Sequence, residues 1–129
     1  MLNDVLANAL SVIKCYDKMG RVSCNIQPVS KIVKNVLKIL NTHNYVGLFE
    51  EITQAKGGIL KINLLRNINH CGVVKPRFSF QVNELEKFEK RYLPAKGMGI
   101  LIVSTSKGYM THEEAKKQNI GGRLIAYCY

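Results

Sequence analysis

Apolar residues recur at helical spacing in two segments of the first half of the chain. The first segment follows Asn3 and Asp4, either of which suits an N-cap, and stops at Gly20. The second follows Ser30, another suitable N-cap, and stops in the polar run 41–44. The inner stripes are Leu6, Ala9, Leu10, Ile13 and Tyr16 in the first, and Ile32, Val33, Val36, Leu37 and Leu40 in the second. This pattern predicts two amphipathic helices.

Around these helices the apolar period changes to two. Residues 21–27 alternate, with Val22, Cys24 and Ile26 on one side, until Pro28 breaks the run. Two β-rich runs, 45–53 and 59–65, are separated by a glycine-containing loop at 54–58 that suits a hairpin. Residues 66–72 are polar and without periodicity, so we place a subdomain boundary there, dividing the chain into 1–66 and 67–129.

The second half predicts short strands and helices. Phe78, Phe80 and Val82 alternate as a strand, and Asn83 with Glu86 resembles a capping box for a short helix that buries Leu85 and Phe88 and ends before Pro94. Residues 100–103 are all apolar and predict a strand buried on both faces.

A second capping box and a closing strand follow. Thr111 with Glu114 predicts a helix that ends near Gly121-Gly122, and residues 123–129 predict a last strand. The expected fold is α+β with two small subdomains. The N-terminal one reads helix, strand, helix, hairpin, and the C-terminal one is a mainly antiparallel sheet with short helices.

The charge indicates a polyanionic partner. Nineteen Lys and Arg against nine Asp and Glu leave a net charge of +10, and each half of the chain carries +5. Lys31, Lys34 and Lys38 share the outer face of the second predicted helix, and no acidic residue occurs between Asp17 and Glu50 to offset them. Lysines on such a face are often only solvated, but a long unopposed positive surface favours nucleic acid.

Other composition features are negative evidence. No apolar stretch approaches a membrane span and the first ten residues do not resemble a leader, so we expect a cytoplasmic protein. The four cysteines are scattered without a Cys-x-x-Cys pair, which favours free buried thiols over zinc binding or disulfides. We expect no metal, no cofactor and no small-molecule substrate.

Enzyme motifs occur only in fragments. Ser104 and Lys107 satisfy Ser-x-x-Lys, but the companion motifs of serine acyltransferases are absent. His112-Glu113 begins the zinc motif His-Glu-x-x-His, yet Lys116 stands where the second His belongs, so His112 is interpreted as a solvated first-turn residue. A phosphate-binding loop of the Gly-x-x-x-x-Gly-Lys-Ser/Thr type is also absent.

The run Ser104-Thr105-Ser106-Lys107-Gly108 is a candidate RNA-binding loop. We expect it to turn directly into the helix capped by Thr111, which would offer backbone N–H groups to a phosphate. Its hydroxyls suit phosphate oxygens, 2′-hydroxyls or base edges, and Gly121 and Gly122 would leave backbone uncovered for close approach. Tyr109 suits stacking on a base or filling the core. The competing interpretation is an ordinary strand-turn-helix in which Ser and Thr act as local caps.

The segment "ILIVSTSKGYMTHEEAKKQNIGG" resembles the signature of the small-subunit ribosomal protein family numbered eight in bacteria and fifteen-a in eukaryotes. "DVLANALSVIK" and "IQPVSKIVKNVLKIL" resemble its first two helices, and "NHCGVVKPRFSF" resembles the linker and strand of its archaeal and eukaryotic branch. Tyr109 stands where the family usually has a smaller aliphatic residue, and Arg123 stands where bacterial members have an acidic one.

The resemblance implies a structural, non-catalytic protein of the small ribosomal subunit. Its implied partners are an irregular helix in the central domain of small-subunit rRNA, whose fold it would stabilise during assembly, and neighbouring ribosomal proteins. The implied RNA contacts are Ser104, Thr105, Ser106, Lys107, Gly108, Gly121 and Gly122, with Lys14, Ser30, Lys31 and Lys34 in the first subdomain. A free-standing RNA-binding regulator on the same scaffold is the alternative, and a serine acyltransferase is a remote one.

Overall fold

The computed structural model describes residues 5–27, 30–54, 57–75, 77–95 and 97–129, except for the side chains of residues 53, 54 and 57. The chain forms two compact units, Met1–Asn69 and His70–Tyr129, each combining helices with an antiparallel sheet. The predicted α+β class is therefore confirmed. The predicted cap at Asn3 or Asp4, the break at Pro28, and the middle of the 54–58 loop lie outside the described residues.

The first unit packs two helices with a three-stranded sheet. The helices are α1 (Val5–Lys18) and α2 (Lys31–Thr42), and the strands are β1 (Ser23–Ile26), β2 (Val46–Gln54) and β3 (Gly57–Leu64) in the order β1-β3-β2. Ser30 caps α2 as predicted, because its Oγ accepts a hydrogen bond from Val33 N at 3.3 Å. The predicted inner stripes form much of the core: Leu6, Ala9, Leu10, Ile13, Val33, Val36, Leu37 and Leu40 are buried.

Three expected inward positions of this unit are exposed instead. Val22 lies in a bend before β1 begins, so it leaves the face that buries Cys24 and Ile26. Tyr16 lies at the edge of α1, where the Arg21 guanidinium sits 5.7 Å from its ring centroid. Cys15 is exposed, whereas Cys24, Cys71 and Cys128 are buried and lie outside any disulfide. Burial raises the pKa of Cys24 to about 11.

The second unit is built on a five-stranded sheet. The chain runs through β4 (Cys71–Val73), β5 (Ser79–Phe80), a 3-10 turn (Val82–Glu84), α3 (Leu85–Tyr92), β6 (Ile100–Thr105), β7 (Gly108–Thr111), α4 (His112–Gln118) and β8 (Gly122–Cys128). The strand order is β4-β8-β6-β7, and β5 also pairs with β8. Leu101, Val103 and Leu124 on the two central strands cluster with Leu85 and Phe88, as the apolar run at 100–103 predicts.

The local sequence predicted some of the helix ends in this unit correctly and others wrongly. The capping box predicted at Asn83 and Glu86 is wrong, because the 3-10 turn leads directly into α3 and Glu84 makes no side-chain cap bond. The cap at Thr111 is right, since its Oγ1 accepts from Glu114 N at 3.4 Å. Helix α4 ends at the left-handed Asn119 rather than at Gly121.

Candidate nucleic-acid interface

The hydroxyl-rich run forms the tip of a β-hairpin, not a turn into a helix. Thr105 pairs with Gly108 across β6 and β7, and Ser106 and Lys107 make the connecting turn. Helix α4 begins only after the four residues of β7, roughly 13 Å along the strand from the turn at about 3.3 Å per residue. The expectation that this turn presents the first N–H groups of a helix to a phosphate is therefore wrong.

Hydrogen bonds fix the shape of the tip. The Thr105 hydroxyl donates to Gly108 O at 2.9 Å and accepts from Lys107 N at 3.2 Å. Gly108 has a φ of +107°, a conformation that side chains rarely adopt. Thr105 is thus committed to holding the turn, which leaves Ser106 and Lys107 exposed at its apex.

Ser104 lies in the middle of a polar row that crosses four strands. Its register partners are Tyr109 on β7 and Arg123 on β8, and Arg123 is paired in turn with Ser79 on β5. Paired residues of antiparallel strands point to the same face with Cα atoms about 4.5–5.5 Å apart. Arg123 is exposed, and Ser104 and Tyr109 are half-buried. Neither Ser104 nor Ser106 uses its hydroxyl within the described part of the chain.

Two glycines let the strands close together beside this row. A Cβ placed on Gly122 would lie 2.1 Å from Ser104 O, and one placed on Gly121 would lie 2.8 Å from Phe80 O. The sheet itself therefore requires both glycines. The sequence analysis placed both glycines beside the hydroxyl loop and expected them to leave backbone uncovered. The structure shows that glycine is needed at these positions because the neighbouring backbone lies so close.

The predicted contacts of the first unit are arranged differently from a simple lysine stripe. Lys31 and Lys38 are exposed and Lys14 is half-buried on α1. Lys34 Nζ lies 2.6 Å from Glu51 Oε2 on β2. The sequence suggested a positive stripe without acidic partners, but Glu51 offsets one of its lysines. Ser30 Oγ already accepts the capping hydrogen bond of α2. Lys31 and Lys38 are accordingly the accessible charges of this face.

His112 is buried rather than solvated. Its exposed fraction is 3%, its Nδ1 accepts a hydrogen bond from Leu101 N at 3.1 Å, and its Nε2 lies 3.5 Å from Glu89 Oε1. The same carboxylate oxygen contacts Lys116 Nζ. Burial, outweighing the nearby Glu89 carboxylate, lowers the pKa of His112. This side chain joins α4 to β6 and α3, and no sequence motif signals that role.

The geometry offers little to the enzyme and metal alternatives. Ser104 lies on a strand and Lys107 in the turn, so they are not neighbours on a helix face as residues three apart would be. Within the described ranges, no three His, Cys, Asp or Glu side chains form a possible metal site.

A helix long and apolar enough to cross a membrane is also missing from these ranges.

Comparison with known families identifies the protein class. The family model described as ribosomal protein S8 matches residues 4–129. Proteins of that family are structural components of the small ribosomal subunit that bind rRNA and act in translation, and they are not an enzyme family. The basic charge and the hairpin that exposes hydroxyls agree with this class. Because the match covers nearly the whole chain, this protein belongs to the ribosomal protein S8 family.

Proposed function

We propose that this ribosomal protein binds an irregular helix in the central domain of small-subunit rRNA through the tip of the β6–β7 hairpin. The observation that carries the proposal is the row of Ser104, Tyr109 and Arg123 beside the exposed Ser106 and Lys107. Regular RNA duplexes hide their base edges in a deep, narrow groove, so proteins read irregular loops, 2′-hydroxyls and backbone shape. Short hydroxyls on a rigid hairpin suit such close contacts.

The residues of this site divide into contacting and positioning groups. Ser104, Ser106 and Lys107 contact the RNA, with Arg123 as a further phosphate contact and Tyr109 at the edge of the row. Thr105 and Gly108 hold the turn, and Gly121 and Gly122 allow the strands to approach.

A second contact set lies in the first unit. Lys14, Ser30, Lys31 and Lys34 make up this set, and the exposed Lys31 contributes most of its phosphate attraction. Ser30 and Lys34 contribute less, because each already has an internal partner. Lysine contacts to phosphate supply affinity without sequence information.

Binding favours one RNA geometry and thereby promotes later assembly steps. A protein that binds the folded helix better than its alternatives shifts the RNA population toward the folded form. The size of that shift equals the difference in affinity between the two RNA states.

Replacement of Ser106 by alanine tests the site directly. We expect Ser106→Ala to weaken binding to the central-domain helix by about 1–3 kcal/mol, because a polar contact at a specific site is lost. Folding should be unchanged, since Ser106 is exposed at the turn. Affinity is measured by titration of labelled RNA, and unfolding by urea.

A matched control is Ser23→Ala, which removes a hydroxyl from β1 in the first unit at a residue that is not one of the proposed contacts. Its RNA affinity should equal that of the unmodified protein. Equal affinity in Ser106→Ala would remove Ser106 from the interface.

A further inference from the structure

Exposed apolar side chains of this protein are concentrated in one region of the first unit. Seven large apolar residues are exposed within the described ranges, and the two outside this region are Ile52 and Met98. The other five are Tyr16, Met19, Val22, Leu48 and Leu65. Val22 is 78% exposed, Leu48 73% and Met19 64%, so most of the surface of these residues faces solvent. Such a concentration on a small protein marks an interaction surface.

Hydrogen bonds and close contacts bring the three segments that carry these residues together. Leu64 N donates to Val22 O at 2.8 Å, and Arg66 Nη2 donates to Gly20 O at 3.1 Å, which joins the end of β3 to the segment after α1. A Cβ on Gly47 would lie 3.5 Å from Leu65 Cδ2, so Leu65 covers the strand next to Leu48. We call residues 16–22, 47–48 and 64–66 the apolar-basic patch.

Charge on the patch has one sign at its surface. Lys18, Arg21 and Arg66 are exposed, whereas Asp17 is buried and its Oδ1 accepts from Arg66 N at 3.0 Å. The patch therefore combines hydrated aliphatic groups with exposed cations. Tyrosine, methionine and arginine are also the residue types enriched in protein interfaces.

We propose that the apolar-basic patch docks a neighbouring ribosomal protein through a segment that presents apolar side chains together with Asp or Glu. The inference rests on the family's place in the small subunit and deepens the proposed function by naming a protein-binding surface on the first unit. A regular RNA duplex would satisfy the cations but would present mainly phosphate and sugar to Val22 and Leu48, which are poorer partners for aliphatic groups than protein side chains. A second copy would place Lys18, Arg21 and Arg66 against themselves across a two-fold axis, which repulsion disfavours.

Site-specific photo-cross-linking in assembled small subunits tests this inference. The probe is the full chain with benzoylphenylalanine in place of Val22, incorporated into small subunits and irradiated, and adducts are identified by mass spectrometry. The matched control carries the same group in place of Asn25, which is exposed on β1 outside the patch. We expect the Val22 probe to join a segment of another ribosomal protein that contains apolar and acidic residues, and the Asn25 probe not to label that segment.

The remaining outcomes overturn the inference. They are an adduct with rRNA, an adduct with a second copy, a protein segment that lacks carboxylates, and no adduct in assembled subunits. A synthetic peptide of the labelled segment should also bind the free protein at least tenfold more weakly after Val22→Ser or Arg21→Ser. Neither change should alter affinity for the rRNA helix, whereas failure of the proposed function would appear as poor rRNA binding with peptide binding intact.

Discussion

At the scale of single residues, strand packing and the proposed RNA site both require that position 122 has no side chain. Its neighbour across the sheet is the backbone of Ser104, one of the proposed RNA contacts. Ser104 can only be placed there because the facing strand lacks a side chain. A positioning residue can therefore control the geometry of a proposed RNA contact.

Substitution of Gly122 should destabilise the second unit. In Gly122→Ala the new Cβ meets Ser104 O at 2.1 Å and must push two central strands apart. Overpacking of this kind typically costs about 1–3 kcal/mol, so the free energy of unfolding in urea should fall by that amount. A change within experimental error would show that β8 adapts freely at this position.

The lowered pKa of His112 predicts a pH-dependent stability. Since the folded pKa lies below the ordinary value of 6.5, the unfolded chain binds the proton more readily. The contribution of neutral His112 to the free energy of unfolding is therefore fully present above pH 6.5. This contribution is lost as the pH falls from there through the folded pKa. Urea unfolding at pH 7 and pH 5 measures the loss.

His112→Asn provides the comparison, because an amide oxygen can accept from Leu101 N in place of Nδ1 but does not titrate. The loss of stability between pH 7 and pH 5 should be smaller in this variant, because every other titratable group is the same in both proteins. Equal losses would assign the acid sensitivity to other groups.

At the scale of elements, the β6–β7 hairpin holds the proposed contacts in place through the Thr105 hydroxyl. Thr105→Val keeps the shape of the side chain but removes the bonds to Gly108 O and Lys107 N. We expect faster hydrogen exchange of the Lys107 amide and rRNA binding weaker by about 0.5–1.5 kcal/mol. Thr105→Ser, which retains the hydroxyl, should restore both values. Weak binding in both variants would argue against a positioning role for this hydroxyl.

The sequence predicts elements well where the apolar period is long and less well where an element is short. α1, α2 and the β2–β3 hairpin follow directly from their patterns. β7 has only four residues at the edge of the sheet, too few for alternation to distinguish a strand from a loop. The hydroxyl run therefore suggested a turn into a helix where the chain forms a hairpin.

Contacts between distant residues were the other part that the sequence did not reveal. The pairing of Lys34 with Glu51 and the burial of His112 beside Glu89 depend on tertiary packing, which local charge patterns do not specify. The row of Ser104, Tyr109 and Arg123 likewise requires the strand register. The sequence analysis identified the hydroxyl loop as a candidate site. The register of β6 with β7 and β8 shows which side chains lie beside it.

At the scale of the whole molecule, the affinity and the specificity of the proposed RNA binding have separate sources. The net charge of +10 is spread over both halves and attracts any polyanion, in a manner that salt weakens steeply. In the proposed interface, the hydroxyls of Ser104 and Ser106 act only at short range, so their contribution depends on RNA shape. Raising the salt concentration should therefore remove general binding before it removes discrimination.

The most direct test is to titrate the protein with its central-domain rRNA helix and with a fully paired control helix that lacks the internal loop, over a range of salt concentrations. The account predicts that the irregular helix binds more tightly by several kcal/mol and that this difference persists at high salt, although both affinities fall. Equal binding of the two RNAs at every salt concentration would contradict it, because charge alone would then explain the interaction.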